Sequence, residues 1–384
     1  MHKVWGVFFC LAGVVLCGLL LGCATTSSDK SGGPTKRDVN KVLSEYRRAE
    51  TALRANRFAE AKSLLDDAIL TISGVPAKDP DARRARGLFH EESGKTYFGE
   101  PYERVLAYFY RGILYWMDGE PDNARACFRN GQFLDSDAQS QQYAGDYALL
   151  DYLDGLVTAK LSGDGSDAFK RAEQETRLAR PPQPDLKANV LFFVESGMGP
   201  YKHATGQYRE ELRFGVQPSP AVSAEIEVDG QKTQAAPYDD LYFQATTRGG
   251  RVMDHVLGNK AAFKSTTDAV GTTAIIGGAI AASQRDRTSQ EVGLGLIAAG
   301  VVGKIFSAAT TPAADVRAWT SLPRYLSFAS LSLSPGQHTA KIEFLDQAGR
   351  IFPNLTKIIT LNVSTDGKDK VVFVSDKSTT PQTP

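Results

Sequence analysis

Four histidines follow the first few residues of the chain, at 90, 203, 255 and 338. Imidazoles bind zinc or relay protons when they stand near cysteines, acids or one another at fixed short spacings. No two of these four are close in sequence, and none lies in a spaced set with cysteines or acids that suggests a zinc site. The sequence also lacks G-x-S-x-G, the phosphate-loop pattern ending in Lys-Ser/Thr, and H-E-x-x-H. Gly197-Met198-Gly199-Pro200-Tyr201-Lys202 follows an apolar run and invites a phosphate-loop reading. It lacks the Lys-Ser/Thr ending and a helix-forming continuation, so it reads as a turn. Glu195 is close enough in sequence to approach Lys202 or His203. No catalytic residue, metal ligand or cofactor site is assigned, and the reading points away from an enzyme.

The cysteines carry more information. Of four, Cys10 and Cys17 lie in the apolar run Val4–Leu21, which follows Lys3. A positive start, an apolar middle and a small-residue cut site make an export signal. Leu20, Leu21 and Gly22 immediately precede Cys23, and Ala24-Thr25-Thr26-Ser27-Ser28 follows. These residues resemble the lipobox of bacterial lipoproteins. The resemblance implies a signal peptide over 1–22, lipidation of Cys23 and acylation of the new N-terminus. Residues 23–36 then form a flexible tether. Ala24-Thr25 lacks the Asp associated with inner-membrane retention, so the resemblance implies the outer membrane, facing the periplasm, where two membranes exist. An uncleaved membrane helix is the alternative, since eighteen apolar residues could just span a bilayer.

The chain has 44 basic and 44 acidic residues among 384. This balance offers no basic surface for nucleic acid. Once the signal has gone and Cys23 is modified, only Cys127 remains as a thiol, so no intrachain disulfide can form. Cys127 sits in an apolar helical stretch, as a buried inert thiol would.

Elements to position any function divide into two halves. Residues 37–178 carry helical periodicity. Gly112, Tyr115, Ala124, Phe128 and Gly131 recur at the spacings of the tetratricopeptide repeat, with Gly119-Glu120-Pro121 as the turn. Ala49, Ala52, Ala61, Leu65 and Ala68 match an earlier unit around Asn56-Arg57-Phe58, and Tyr152–Glu175 a degenerate third. Ala61 and Ala124 stand 63 residues apart, not the ~34 of a regular array. An added helix is predicted over Ala82–Phe98, and Gly99-Glu100-Pro101-Tyr102-Glu103-Arg104 reads as a helix start with Pro in the first turn. The expectation is an irregular repeat-like α-solenoid. On the repeat's pattern, Gly112, Tyr115, Ala124 and Phe128 pack the helix pair. Phe109, Ile113 and Trp116 would line a groove for a protein partner, or else pack against a neighbouring element.

Arg180-Pro181-Pro182-Gln183-Pro184 ends the helices. Residues 185–378 then read as strands, at Val190–Val194, Ala224–Val228, Tyr325–Leu333, His338–Phe344, Lys357–Val363 and Lys370–Val374. Asp229-Gly230 is a hairpin turn. The fold class is therefore α+β, a repeat-like solenoid followed by a β-sandwich, with 379–384 a disordered tail. Within this half, 267–309 holds two Gly/Ala-rich runs. Gly278 in the first and Gly295, Ala299 and Gly303 in the second lie on small-residue faces that suit close helix packing. This helical hairpin either packs on the folded body, joins an oligomer or enters a membrane.

Together, the lipobox, the irregular repeats, Gly-Glu-Pro-Tyr-Glu-Arg and the C-terminal strands resemble a family of uncharacterised bacterial tetratricopeptide-repeat-like lipoproteins. The resemblance implies an envelope protein or lipoprotein as partner, a membrane reached through the N-terminal lipid, and no nucleic acid. A homo-oligomer is a further option. The expected function is a non-catalytic adaptor or scaffold of the cell envelope. The alternative is a self-assembling or membrane-interacting component that uses the Gly/Ala-rich hairpin.

Overall fold

Helix α1 (Lys41–Arg54) buries Val42, Tyr46, Ala49 and Leu53, a stripe at helical spacing. Helix α2 (Phe58–Ser73) returns along it, burying Phe58, Ala61, Leu65 and Ala68. The next pair, α3 (Pro101–Met117) and α4 (Pro121–Asp135), uses the same turn. Asn56 follows α1 with φ 60°, and Gly119 follows α3 with φ 78°. The residue after each donates back to the helix: Arg57 N to Ala52 O at 2.8 Å, Glu120 N to Tyr115 O at 2.9 Å. These left-handed ends close the last carbonyls of each helix. A third pair, α5 (Ala148–Lys160) and α6 (Ser166–Gln174), completes the series, with α2 packed on α3 and α4 on α5.

These coordinates come from a computed structural model that describes residues 38–73, 91–135, 143–161, 163–247, 260–261, 264–269, 272, 304 and 307–379. Cys23 and its lipobox, the tether, Gly278, Gly295, Ala299, Gly303 and the tail beyond 379 lie outside the described residues. Of the helix predicted over Ala82–Phe98, the described part is not α-helical: a 3-10 turn at Glu92–Gly94 leads into extended chain. The side chain of Glu92 is spent on Lys95 and on the amide of Asp315.

Close approach within the pairs is set by small residues. A Cβ on Gly112 would stand 2.6 Å from the Phe128 ring, and one on Gly155 would stand 2.8 Å from Phe169. Gly112→Val is therefore expected to destabilise the chain by about 1–3 kcal/mol through overpacking. A guanidinium denaturation midpoint equal to that of the parent chain would contradict this packing.

Among the described residues, ten strands form three sheets. Strands β1 (Val190–Ser196), β6 (Pro237–Asp240), β7 (Tyr325–Leu331) and β10 (Lys370–Ser375) make the central one, in the order β10-β1-β7-β6. It is mixed, because β1 runs parallel to β10 and antiparallel to β7. Strands β4 (Ser223–Val228), β5 (Gln231–Ala235), β8 (Gly336–Leu345) and β9 (Lys357–Val363) form an antiparallel outer sheet, in the order β5-β4-β8-β9. The turn from β4 to β5 is Asp229-Gly230, with φ 52° and 81°. Strands β2 (Tyr201–Thr205) and β3 (Glu211–Gly215) pair as a separate hairpin. Helix α7 (Leu241–Thr247) follows β6. Strands β2, β3, β5 and β6 and helix α7 lie outside the elements expected from the sequence; β3 does alternate, with Leu212 and Phe214 between Glu211, Arg213 and Gly215.

The apolar run in β1 has a simple cause: the central sheet is covered on both faces. Side chains alternate across a strand. Leu191 and Phe193 join the helices in one core, with Phe328, Val371 and Phe373 from the neighbouring strands. Val190, Phe192 and Val194 face the outer sheet, joining Ile226, Ile342, Phe344 and Leu361 in a second core. The order is helices, central sheet, outer sheet. Described residues from Asp38 onward pack as one compact unit.

Candidate functional site

The face on which a groove was expected is occupied by the chain itself. Phe109, Ile113 and Trp116 are all buried. Phe109 and Trp116 meet Phe193 of β1 edge-on, with ring centroids 6.2 and 6.1 Å apart. The Trp116 indole N–H donates to Asp369 Oδ2 at 3.0 Å. The sheet takes the place of an external peptide, since a large aromatic surface is better covered by the chain's own strands than by water. Within the pair, Gly112, Ala124 and Phe128 pack together and are buried. Tyr115 is only partly buried, and its ring carries the Arg111 guanidinium 3.5 Å above it.

Glu195, four residues after Leu191 and two after Phe193, shares their face and therefore points at the helices. It does not approach Lys202 or His203. Arg54 at the end of α1 donates Nε to Glu195 Oε1 at 2.6 Å, and Tyr110 on α3 donates its hydroxyl to Oε2 at 2.5 Å. The same guanidinium lies 2.5 Å from Glu50 Oε1. Glu50 accepts the Trp319 indole N–H at 2.7 Å and the Ser321 hydroxyl. Tyr46 stacks on Trp319, with centroids 4.5 Å apart. Two buried carboxylates thus share one buried cation. Burial raises the Glu50 carboxyl above its ordinary range against the pull of Arg54. The Arg54 cation is held by Glu195 and Glu50, which overcome its desolvation. Burial, with Glu195 next, pushes the Tyr110 phenol well up.

A second buried centre lies at the start of α3. Glu100 and Glu103 form a reciprocal capping box, with Glu103 Oε2 accepting the Glu100 amide at 2.7 Å. Glu103 also accepts the Trp319 amide at 2.6 Å and pairs with the buried ammonium of Lys202 at 3.0 Å. Lys202 additionally donates to Arg317 O at 2.9 Å. Pro101 at the first helical position shows why Gly-Glu-Pro-Tyr-Glu-Arg starts a helix, but the Glu103 side chain does more than cap. Both centres hold the extended segment 310–324 against α1 and α3. Arg317 continues the contact, reaching Asn40 Oδ1 at 2.8 Å and Lys95 O at 2.9 Å.

The Gly197–Lys202 loop is a turn leading into β2. Its amides are spent internally: Gly197 N on Asp376 at 2.9 Å, Met198 N on Ser219 at 2.9 Å and Gly199 N on Leu322 O at 2.8 Å. His203 lies across the β2–β3 ladder from Arg213. His338 bridges Asp229 at 2.5 Å and Ser334 O at 2.7 Å, a tie across the β4–β5 turn, and the Asp229 bond raises its pKa. Cys127 is buried, and desolvation pushes its thiol up to about 12, far from a reactive thiolate. Among the described residues no group of three or more His, Cys, Asp or Glu side chains could hold a metal ion, and no helix is long and apolar enough to cross a membrane.

Buried Glu50 and Arg54, which no sequence motif singles out, nonetheless leave a signal in the sequence. They stand four apart, and Glu50 lies beside the stripe of Tyr46, Ala49 and Leu53, where a solvated helix would keep its charge outside. Trp319 has no such signal, because it lies in extended chain. No family model, no curated protein and no solved structure matches this chain.

Proposed function

We propose that the protein is a lipid-anchored, non-catalytic adaptor of the bacterial cell envelope, with Cys23 carrying the lipid. The observation that carries the adaptor reading is the buried charged seam. Arg54, Glu50, Glu195, Glu103 and Lys202 are spent on tying helices, strap and sheet into one body. A rigid body on a tether suits the holding of other proteins at a membrane. We read the three helix pairs as tetratricopeptide-like and the two facing sheets as a β-sandwich, with the inner helix face filled by the central sheet. Partners then meet the outer faces, and Phe109, Ile113 and Trp116 serve the core.

The rival reading gives the Gly/Ala-rich hairpin an assembly role. One observation bears on it. Lys304 pairs with Asp268 at 2.6 Å, and Ser307 Oγ donates to Lys264 O at 3.3 Å. The two ends of the stretch therefore lie side by side within the chain, and Lys304 has its counter-ion there. This supports a stretch whose two ends return to one place on the chain.

Radiolabelled palmitate supplied to bacteria expressing the full chain tests the anchor. Label is expected on the parent and lost in Cys23→Ser. Equal labelling of both would remove Cys23 as the lipid site.

A further inference from the structure

The connection from α6 to β1 runs through Arg180-Pro181-Pro182-Gln183-Pro184. Proline fixes φ at about −65°, has no amide hydrogen, and drives the residue before it into extended backbone. Arg180, Pro181 and Gln183 each precede a proline. Together these restraints favour the polyproline II helix, with about three residues per turn and no internal hydrogen bonds. Residues 180–185 accordingly contain no helix, strand, turn or bend, and residues 180–184 make no hydrogen bond among the described residues. Both ends of the run are fixed. Ala179 N donates to Pro237 O of β6 at 3.1 Å, and Ala188 N donates to Asp185 O at 3.2 Å. The Asp185 carboxylate accepts the Ser332 hydroxyl at 3.1 Å and the Lys187 amide at 2.9 Å. A segment already held straight has little conformational entropy left to lose on binding.

Every third residue of such a helix shares an edge. Pro181 and Pro184 share the edge that is half-buried against the body. Arg180 and Gln183 share the second and Pro182 and Asp185 the third, and all four are exposed. Leu178 and Leu186, just outside the run, are 44% and 50% exposed. The side chains of Arg180 and Lys187 are exposed and make no ion pair or hydrogen bond among the described residues. The run therefore presents prolyl and leucyl surface together with two unengaged cations.

We propose that residues 178–187 are a docking ligand for a second protein, one with a shallow groove lined by aromatic side chains and a carboxylate at its rim. The proposal rests on the adaptor reading and names the surface and the partner chemistry for it. Aromatic faces receive a preformed polyproline helix without having to order it, which is how proline-rich segments are recognised in general. The rim carboxylate pairs with the Arg180 guanidinium, whose planar fork suits two parallel hydrogen bonds. The half-buried edge of Pro181 and Pro184 keeps the run on the body while the two exposed edges meet the groove.

Benzoylphenylalanine in place of Gln183 tests this in bacteria expressing the full chain, with each crosslinked protein identified and its attachment point mapped by mass spectrometry. The expected result is a discrete product with another protein, joined beside a cluster of aromatic residues on it. Its yield should fall on the order of ten-fold when Pro181→Ala, Pro182→Ala and Pro184→Ala are combined, as when an interface loses its main anchor. Arg180→Glu alters an exposed, unpaired side chain, so it keeps the fold, and should weaken the product several-fold. No product, a product only with a second copy of this chain, or attachment away from aromatic residues overturns the proposal. So does a yield unchanged in Arg180→Glu, whether or not the alanine variant folds. If Gln183 captures nothing while other surface positions capture other proteins, the adaptor reading stands and this segment is not its ligand. Failure at every position removes both.

Discussion

Arg54→Met should lower the unfolding free energy by about 3–5 kcal/mol at pH 7, the cost of leaving a buried charge without its partner. The substitution keeps an unbranched apolar stem and removes the cation. Glu195 would retain Tyr110, and Glu50 would retain Trp319 and Ser321, but neither would face a buried guanidinium. Lys377 is a cation beside the same two carboxylates. Its ammonium lies 3.3 Å from Ser321 O, and burial lowers its pKa, so it is a poor replacement for Arg54. Glu50, whose carboxyl burial already raises, can relieve the repulsion by taking up a proton. The deficit is therefore expected to shrink between pH 7 and pH 5, because carboxyls raised on folding add stability as the pH falls. Guanidinium titrations of parent and variant at both values measure it. A deficit below about 1 kcal/mol, as at an exposed pair, would mean the seam contributes little.

Glu103→Ala is expected to cost a similar amount, about 3–5 kcal/mol, for a related reason. The carboxylate satisfies the Glu100 amide, the Trp319 amide and the Lys202 ammonium together. Its removal leaves Lys202 buried, with Glu100 3.6 Å away and Asp315 also within electrostatic reach. The consequence is local as well as global. Trp319 loses its amide tether while keeping the bond from its indole to Glu50. The strap around Arg317 to Trp319 should become more sensitive to proteolysis, and Trp fluorescence should shift to the red. Glu103→Gln retains an acceptor and is expected to fall between the two. Unchanged fluorescence and cleavage in Glu103→Ala would show that the strap is held by other contacts.

Much of the layered order was legible because it rests on local periodicity. Strand β9 covers Lys357–Val363, the predicted range, because it alternates buried and exposed residues. The apolar run in β1 was recognisable as a strand, but its two-sided burial was not, since that depends on which elements cover the sheet. The repeat spacing located Gly112, Ala124 and Phe128, because helix pairs impose their own small-to-large pattern. It could not say what would fill the inner face at Phe109, Ile113 and Trp116. That is decided by β1, whose Phe193 is 77 residues beyond Trp116.

The buried charges were the least legible part. Glu195 looked adjacent to Lys202 and His203 in sequence, yet strand alternation turns it toward Arg54, 141 residues away. Glu103 shows its capping role in the motif and hides its bond to Trp319, 216 residues on. Local rules identify a cap or a stripe. They carry no record of partners brought in by a long connection, and this protein spends most of its buried charge on such partners.

Photo-crosslinking in living bacteria tests the central claim, a tethered body that holds other proteins by its outer faces. A photoreactive residue would replace Arg129 on α4, Lys170 on α6 or Lys341 on the outer sheet, whose side chains are 62%, 70% and 46% exposed. The account predicts discrete products with other envelope proteins from at least one of these positions, in the membrane fraction. A ladder of the chain with itself, and no other product from any of the three, would contradict the adaptor and favour assembly through the Gly/Ala-rich hairpin.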